Sequence, residues 1–126
     1  MKQRVTSEDL ACLVPVLNKL LDGAYLTQIY DGTPDSTKIV VLKFRQKIVD
    51  KSVIFFLLIE SGIRIHTIES FESVRKVPSS CVGKFRKEIG DKRLYPIEQI
   101  GTDRSLDFRF SNSKHFIIEM YDRGDF

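Results

Sequence analysis

Val53-Ile54-Phe55-Phe56-Leu57-Leu58-Ile59-Glu60, followed by Ser61-Gly62 and then Ile63-Arg64-Ile65-His66-Thr67-Ile68-Glu69, decides the fold of this sequence. A β-branched and aromatic run, a two-residue turn signal and a second run with alternating character together predict a hairpin. Working backwards, Lys38 to Arg45 and Ala24 to Tyr30 read as two more strands. Asp31-Gly32-Thr33-Pro34-Asp35 and the segment Gln46 to Ser52 read as the turns between them. The result is a four-strand meander.

Upstream of the meander, Thr6-Ser7-Glu8-Asp9 resembles a capping box, and Leu10, Leu13, Val14, Leu17, Leu20 and Leu21 recur at helical spacing. An amphipathic helix ending at Gly23 follows, with Pro15 inside it expected to leave the Ala11 carbonyl without its usual donor and to kink the helix. Downstream, a polar stretch leads to Pro78-Ser79-Ser80, where a serine cap opens a second helix reaching Gly90. Val82, Phe85 and Ile89 share its apolar face, and Lys84 and Lys87 point the other way. Arg93 to Ile100, Ser105 to Phe110 and His115 to Tyr121 read as three further strands, the first an edge strand because Pro96 cannot donate to a ladder. The expected order is therefore αββββαβββ. This is an α+β domain, mainly an antiparallel β-sandwich or curved sheet with two flanking helices.

The chain has 126 residues, the size of one domain, with 42% hydrophobic and 29% charged residues. These values exclude disordered, collagenous and coiled-coil classes. Val53 to Ile59 is the longest apolar run, and no apolar segment follows Met1-Lys2-Gln3-Arg4, so neither a membrane span nor a signal peptide is expected. Cys12 and Cys81 have no CxxC neighbour, which fits reduced thiols in the cytosol or nucleus. The end at Asp125-Phe126, directly after a strand and turn, suggests a fragment of a longer protein.

Charge is distributed unevenly. Between Arg75 and Arg93 seven basic residues face two acidic ones, a net of +5, leaving −2 for the remainder of a chain whose formal charge is +3. Lys84, Arg86, Lys87, Lys92 and Arg93 lie on and just after the second helix, where such a cluster can neutralise phosphates. The bland reading is a solvated helix face with an i,i+4 pair such as Lys84 with Glu88. Tyr95 and Phe71 could offer stacking, and Phe85 is expected in the core.

Met1-Lys2-Gln3-Arg4, Asp9-Leu10, Ser61-Gly62-Ile63-Arg64-Ile65-His66-Thr67, Pro78-Ser79-Ser80, Arg86-Lys87, Gly101-x-Asp103-Arg104 and Tyr121-Asp122-Arg123-Gly124 run in one order along essentially the whole chain. Together they resemble the N-terminal NFACT domain, in particular that of the eukaryotic ribosome-associated quality control factors. The resemblance implies a fold like the N-terminal domain of formamidopyrimidine-DNA glycosylases. It also implies binding to the large ribosomal subunit with stalled peptidyl-tRNA, help in retaining a listerin-type ubiquitin ligase, and recruitment of alanyl and threonyl tRNA for untemplated C-terminal tails. The family's coiled-coil arm and second RNA-binding domain are not in this sequence.

By the same resemblance, Asp103 and Arg104 are the functional Asp-Arg pair and Asp9 the third member of a pocket contacting tRNA. A guanidinium can hold phosphate oxygens through two parallel hydrogen bonds, and a neighbouring carboxylate can orient it or accept from a ribose hydroxyl. Against this, Gly101 to Arg104 reads equally as a hairpin turn. Asp9 reads equally as a capping-box carboxylate favoured by the helix dipole. Arg123-Gly124-Asp125 spells an adhesion tripeptide, and bacterial relatives are labelled fibronectin-binding, but a turn after the last strand is the simpler reading.

Catalysis is not expected. The glycosylases of similar fold attack through an N-terminal proline amine, whereas Met1 here is followed by Lys2 and Gln3. Cys12, His66, Cys81 and His115 lack zinc-site spacing, and no P-loop or GxGxxG is present, so no cofactor or metal is expected. The sequence predicts a noncatalytic RNA-binding module, with a protein-interaction domain contacting a ribosomal protein or ligase as the competing reading.

Overall fold

In a computed structural model, residues 6–33, 36–60, 63–71, 80–100 and 105–119 are described. Helix α1 spans Ser7–Leu21, and β1 Tyr25–Thr33, β2 Ser36–Ile48, β3 Lys51–Glu60 and β4 Arg64–Ile68 form the meander. Helix α2 spans Ser80–Ile89, followed by β5 Lys92–Arg93, β6 Glu98–Gln99, β7 Ser105–Arg109 and β8 His115–Glu119. All strand pairs are antiparallel, in a five-stranded sheet of order β4-β3-β2-β1-β5 and a three-stranded sheet of order β6-β7-β8. The α+β class expected from the periodicities is the observed one, with no closed barrel. No helix among the described residues is long and apolar enough to cross a membrane.

The core lies where the helices and the inner strand faces meet. Leu10, Leu17 and Leu21 of α1 and Val82 and Ile89 of α2 join Leu26, Ile29, Val40, Leu42, Phe44, Leu57 and Ile59 of the large sheet. Leu106, Phe108, Phe116 and Ile118 of the small sheet, with Phe110, complete the cluster. Each fully buried side chain of this size contributes roughly 1.5–3 kcal/mol relative to exposure. α1 runs continuously through Pro15, which the tertiary packing of its Leu stripe tolerates. β3 and β4 pair antiparallel as expected, the turn residues Ser61 and Gly62 themselves lying outside the described residues, and Arg64 Nε donates to the mostly buried Glu60 carboxylate at 2.9 Å.

Two expectations about boundaries need correction. β2 and β3 continue to an Ile48–Lys51 pair, so the turn expected over Gln46 to Ser52 is only Val49-Asp50. This end of the hairpin is exposed on both faces, and an exposed strand carries no alternation to read. Val49 takes φ 57°, an unusual conformation for a β-branched residue. Likewise β1 runs through Asp31 to Thr33, inside the segment read as a turn, and β2 starts at Ser36 rather than at Lys38. The β1 register slips between Asp31 and Thr33, at Gly32, where a Cβ would collide with Ile39 Cγ2, so only glycine fits the close approach to β2.

The third correction concerns Arg93 to Ile100, read as one strand. It is two short strands in different sheets: β5 pairs with β1 and β6 with β7. Eight strands, not seven, result among the described residues. Leu94 and Ile97 are both buried, a spacing of three that a flat strand cannot deliver to one side, and Pro96 between them has no N–H. The backbone bonds that a continuous ladder would make are supplied from elsewhere. Leu94 N–H donates to Ala24 O and Tyr95 N–H to Arg109 O. Asn18 of α1 then grips Ile97 at both backbone atoms, its Nδ2 donating to the carbonyl at 2.9 Å and its Oδ1 accepting from the N–H at 2.6 Å.

This amide pair predicts a specific mutational signature. Asn18→Ala should lower unfolding free energy by about 2 kcal/mol, since two partly buried backbone groups lose their partner. Asn18→Asp should cost a similar amount because a carboxylate cannot donate to the Ile97 carbonyl. Urea denaturation followed by circular dichroism would check both values.

Candidate functional site

The residues expected to contact nucleic acid occupy different environments. Thr6 caps α1: its Oγ1 accepts from the Asp9 N–H at 3.1 Å, and Asp9 Oδ2 accepts from the Thr6 N–H at 3.0 Å. Both halves of the capping box are therefore formed, and one carboxylate oxygen of Asp9 is engaged by its own helix. Asp103 and Arg104 lie outside the described residues. Of the described residues on either side of them, Ile100 N–H donates to Ser105 O at 3.0 Å.

On α2 the cations divide. Lys84 and Lys87 are exposed, as their helical spacing predicts, and are three residues apart on the outer face. Arg86 turns inward instead. Its Nε donates to Ile29 O of β1 at 2.8 Å, and its guanidinium lies 5.7 Å from the centre of the Tyr30 ring. Beyond Leu26, β1 has no strand beside it on the β5 side among the described residues, and Arg86 bonds the sheet edge there. Where β5 meets β1, Asp91 N–H donates to Leu26 O at 2.7 Å. Lys92 is half-buried in β5 opposite Leu26. Arg93 is exposed, and its guanidinium lies against Gly23, which takes φ 71° at the exit of α1; a Cβ there would sit 2.9 Å from Arg93 Nη2.

The ion pair expected between Lys84 and Glu88 is not formed. Glu88 Oε2 instead meets Lys114 Nζ at 3.2 Å, across to the turn before β8. Asn112 Nδ2 donates to Glu88 O at 2.8 Å, so the β7–β8 turn also caps the end of α2. Lys84, Phe85, Glu88, Lys114, Phe116 and Ile117 line a groove of about 490 Å³ between α2 and β8. Phe85 meets Phe116 edge to face at 4.9 Å on its floor. Neither Lys114 nor the groove was anticipated from sequence, because residues 84 and 114 meet only once the small sheet docks on α2. His115 Nδ1 lies 2.8 Å from Asp107 Oδ1 on the neighbouring strand. Among the described residues no three His, Cys, Asp or Glu side chains converge to hold a metal ion, and Cys12 is a free, exposed thiol.

The ribosome quality control complex subunit NEMF of Mus musculus is 39% identical over 128 residues, covering 99% of this chain. The NEMF homologue of Drosophila melanogaster is 38% identical and ribosome quality control complex subunit 2 of Saccharomyces cerevisiae 32% identical, each again over 99% of this chain. The chain is a homologue of these subunits over its whole length. It spans 11–12% of their length. No protein-family model matches the sequence.

Solved structures agree on the fold. The N-terminal domain of the fibronectin-binding protein PavA from Streptococcus pneumoniae superposes with a TM-score of 0.72 at 18% identity, covering 94% of this chain and 46% of that one. The N-terminal part of the fibronectin/fibrinogen-binding protein from Streptococcus suis gives 0.71 at 20% identity, covering 91% and 45%. The NFACT resemblance drawn from the motifs is borne out by the NEMF and yeast homologues together with these neighbours.

Two predictions separate structural from functional cations and acids. Arg86→Ala should lower stability by about 2 kcal/mol through the orphaned Ile29 carbonyl and the lost ring contact, whereas Lys84→Ala and Lys87→Ala should stay within about 0.5 kcal/mol of the parent. Asp9→Ala should cost about 1 kcal/mol, and Asp9→Asn, which keeps an acceptor oxygen for the Thr6 N–H, clearly less. Thermal melts of the four alanine variants and Asp9→Asn would check these values.

Proposed function

We propose that this domain is the RNA-binding module of a ribosome quality control factor, itself one segment of a longer cytoplasmic protein. In this reading the whole factor recognises stalled peptidyl-tRNA on the large ribosomal subunit and supports recruitment of a listerin-type ubiquitin ligase. It also recruits alanyl and threonyl tRNA for untemplated tail addition, the peptide bonds being formed by the ribosome. The observation that carries this reading is the 32–39% identity, over 99% of the chain, to ribosome quality control subunits from mouse, fly and yeast.

The physical chemistry of the surface is consistent with it. The chain's positive charge is concentrated between Arg75 and Arg93, and Lys84, Lys87 and Arg93 present theirs to solvent, as contacts to phosphate require. Arg86 and Lys92 act differently: one holds the β1 edge and thereby orients α2, and the other is half-buried in β5. Asp103 and Arg104 are assigned to the tRNA pocket by their motif, with Asp9 contributing whatever capacity remains beyond its cap.

Equilibrium binding of the 126-residue domain to tRNA, aminoacylated and not, across a salt series tests the proposal. Affinity should fall steeply with salt, and reversing Lys84 and Lys87 to Glu should reduce the slope of log K against log salt by about 2. Arg104→Ala should weaken binding without changing the melting temperature. Absence of binding to any tRNA at low salt would overturn the assignment of RNA contact to this domain.

A further inference from the structure

Among the described residues two aromatic side chains are exposed, Tyr25 at 42% and Tyr95 at 40%, and each lies under an arginine. The Arg45 guanidinium sits 5.9 Å from the centre of the Tyr25 ring and that of Arg109 5.3 Å from the centre of the Tyr95 ring, both within cation–π reach.

Strand register puts these residues on one face. Tyr25 of β1 pairs with Arg45 of β2 on one side and with Arg93 of β5 on the other. Their sequence neighbours Leu26, Phe44 and Leu94 are buried, so alternation along each strand turns Tyr25, Arg45 and Arg93 away from the core. Residues 93–95 then meet the end of β7. Ser111 N–H donates to Arg93 O, Leu94 bridges Phe110, and Tyr95 N–H donates to Arg109 O. Leu94 and Phe110 are buried, which leaves Tyr95 and Arg109 on the outward side with Arg93. Lys47, two residues beyond Arg45, is exposed on the same side of β2. Lys47, Arg45, Tyr25, Arg93, Tyr95 and Arg109 thus form one strip that crosses from the large sheet to the small one.

The chemistry of the strip is cationic and aromatic by turns. None of its four cations has an ion-pair partner among the described residues. Carboxylates of these segments stand at its margins. Asp91 lies two residues before Arg93, with Lys43 two before Arg45, and Asp107 lies two before Arg109, held by His115 at 2.8 Å and opposite Glu98. A ring flanked by guanidinium groups suits an unpaired base, which stacks on the aromatic plane while its phosphates meet the neighbouring cations. Bases inside a duplex are hidden in their own stack and cannot use such rings.

We infer that this strip binds an unpaired segment of RNA, with bases stacked on Tyr25 and Tyr95 and phosphates held by Arg45, Lys47, Arg93 and Arg109. The inference rests on the RNA-binding reading above and gives it a contact surface separate from the α2 lysines and from the Asp103-Arg104 motif.

The test is fluorescence anisotropy of a labelled uridine oligomer of about ten nucleotides on the 126-residue protein, with an RNA duplex of similar length for comparison. The single strand should bind at least about tenfold more tightly, although the duplex carries the denser charge. Tyr25→Thr and Tyr95→Thr, which keep a residue suited to a strand, should each weaken single-strand binding at least about fivefold, and Tyr25→Phe and Tyr95→Phe should retain it. Because the chain has no tryptophan, the unlabelled oligomer should quench tyrosine emission, and the double threonine variant should lose most of that response. Replacing Arg45 and Arg109 with Gln should lower the slope of log K against log salt by about 1.4. Threonine variants that bind as tightly as the parent would overturn the strip. Loss of affinity in Lys84→Glu/Lys87→Glu alone would then keep the RNA-binding reading and assign it to α2. A duplex bound as tightly as the single strand, or tRNA bound without the uridine oligomer, would likewise overturn the strip and spare that reading. Binding of no RNA at low salt would remove both. A glutamate oligomer that quenches tyrosine emission where the uridine oligomer does not would give the strip to an acidic protein segment and overturn the inference.

Discussion

The chain must pass from one sheet to another within a few residues, and the structure depends on how that crossing is satisfied. Between β5 and β6 the backbone leaves a five-stranded ladder and enters a three-stranded one, and buried amides without partners would cost about 1–3 kcal/mol each. Ala24, Arg109 and the Asn18 side chain provide the partners. Because Asn18 belongs to α1, the first helix, the crossing segment and the small sheet are held in one geometry. Leu94 and Ile97, turned inward by the crossing, then fill the space between the layers.

The same device recurs at each incomplete edge. Arg86 stands in for a missing strand beside Ile29, and Asn112 closes the end of α2. Side chains replace ladder bonds where the two sheets and two helices fail to match in length. This explains why the basic segment after residue 75 is not a uniform phosphate-binding face. One of its arginines is consumed in construction, and among the described residues Lys84 and Lys87 on the helix and Arg93 after it remain outward. An exposed ammonium on a long stem contributes little to stability, and so can serve binding at little structural cost.

A homologue of ribosome quality control subunits that shares the fold of streptococcal fibronectin-binding proteins also illustrates how loosely fold constrains function. At 18–20% identity the likeness to the streptococcal domains speaks for architecture. The higher sequence identity, 39% to NEMF and 32% to its yeast counterpart, speaks for kinship with that segment of those subunits.

Much of the architecture was legible in the sequence. The Leu stripe from Leu10 to Leu21, the capping box at Thr6 and Asp9, the Ser61-Gly62 hairpin and the outward Lys84 and Lys87 are local patterns, and local periodicity and turn chemistry dictate them. Motifs in a fixed order gave the kinship. Tertiary structure alone decided the rest. It split 93–100 between two sheets, because burial of Leu94 and Ile97 outweighs the strand propensity of the segment. It drew Arg86 inward, because an unpaired Ile29 carbonyl accepts a charged donor more strongly than water rewards its exposure. And it joined Glu88 to Lys114, forming a groove from residues some thirty positions apart, a distance at which no sequence period carries information.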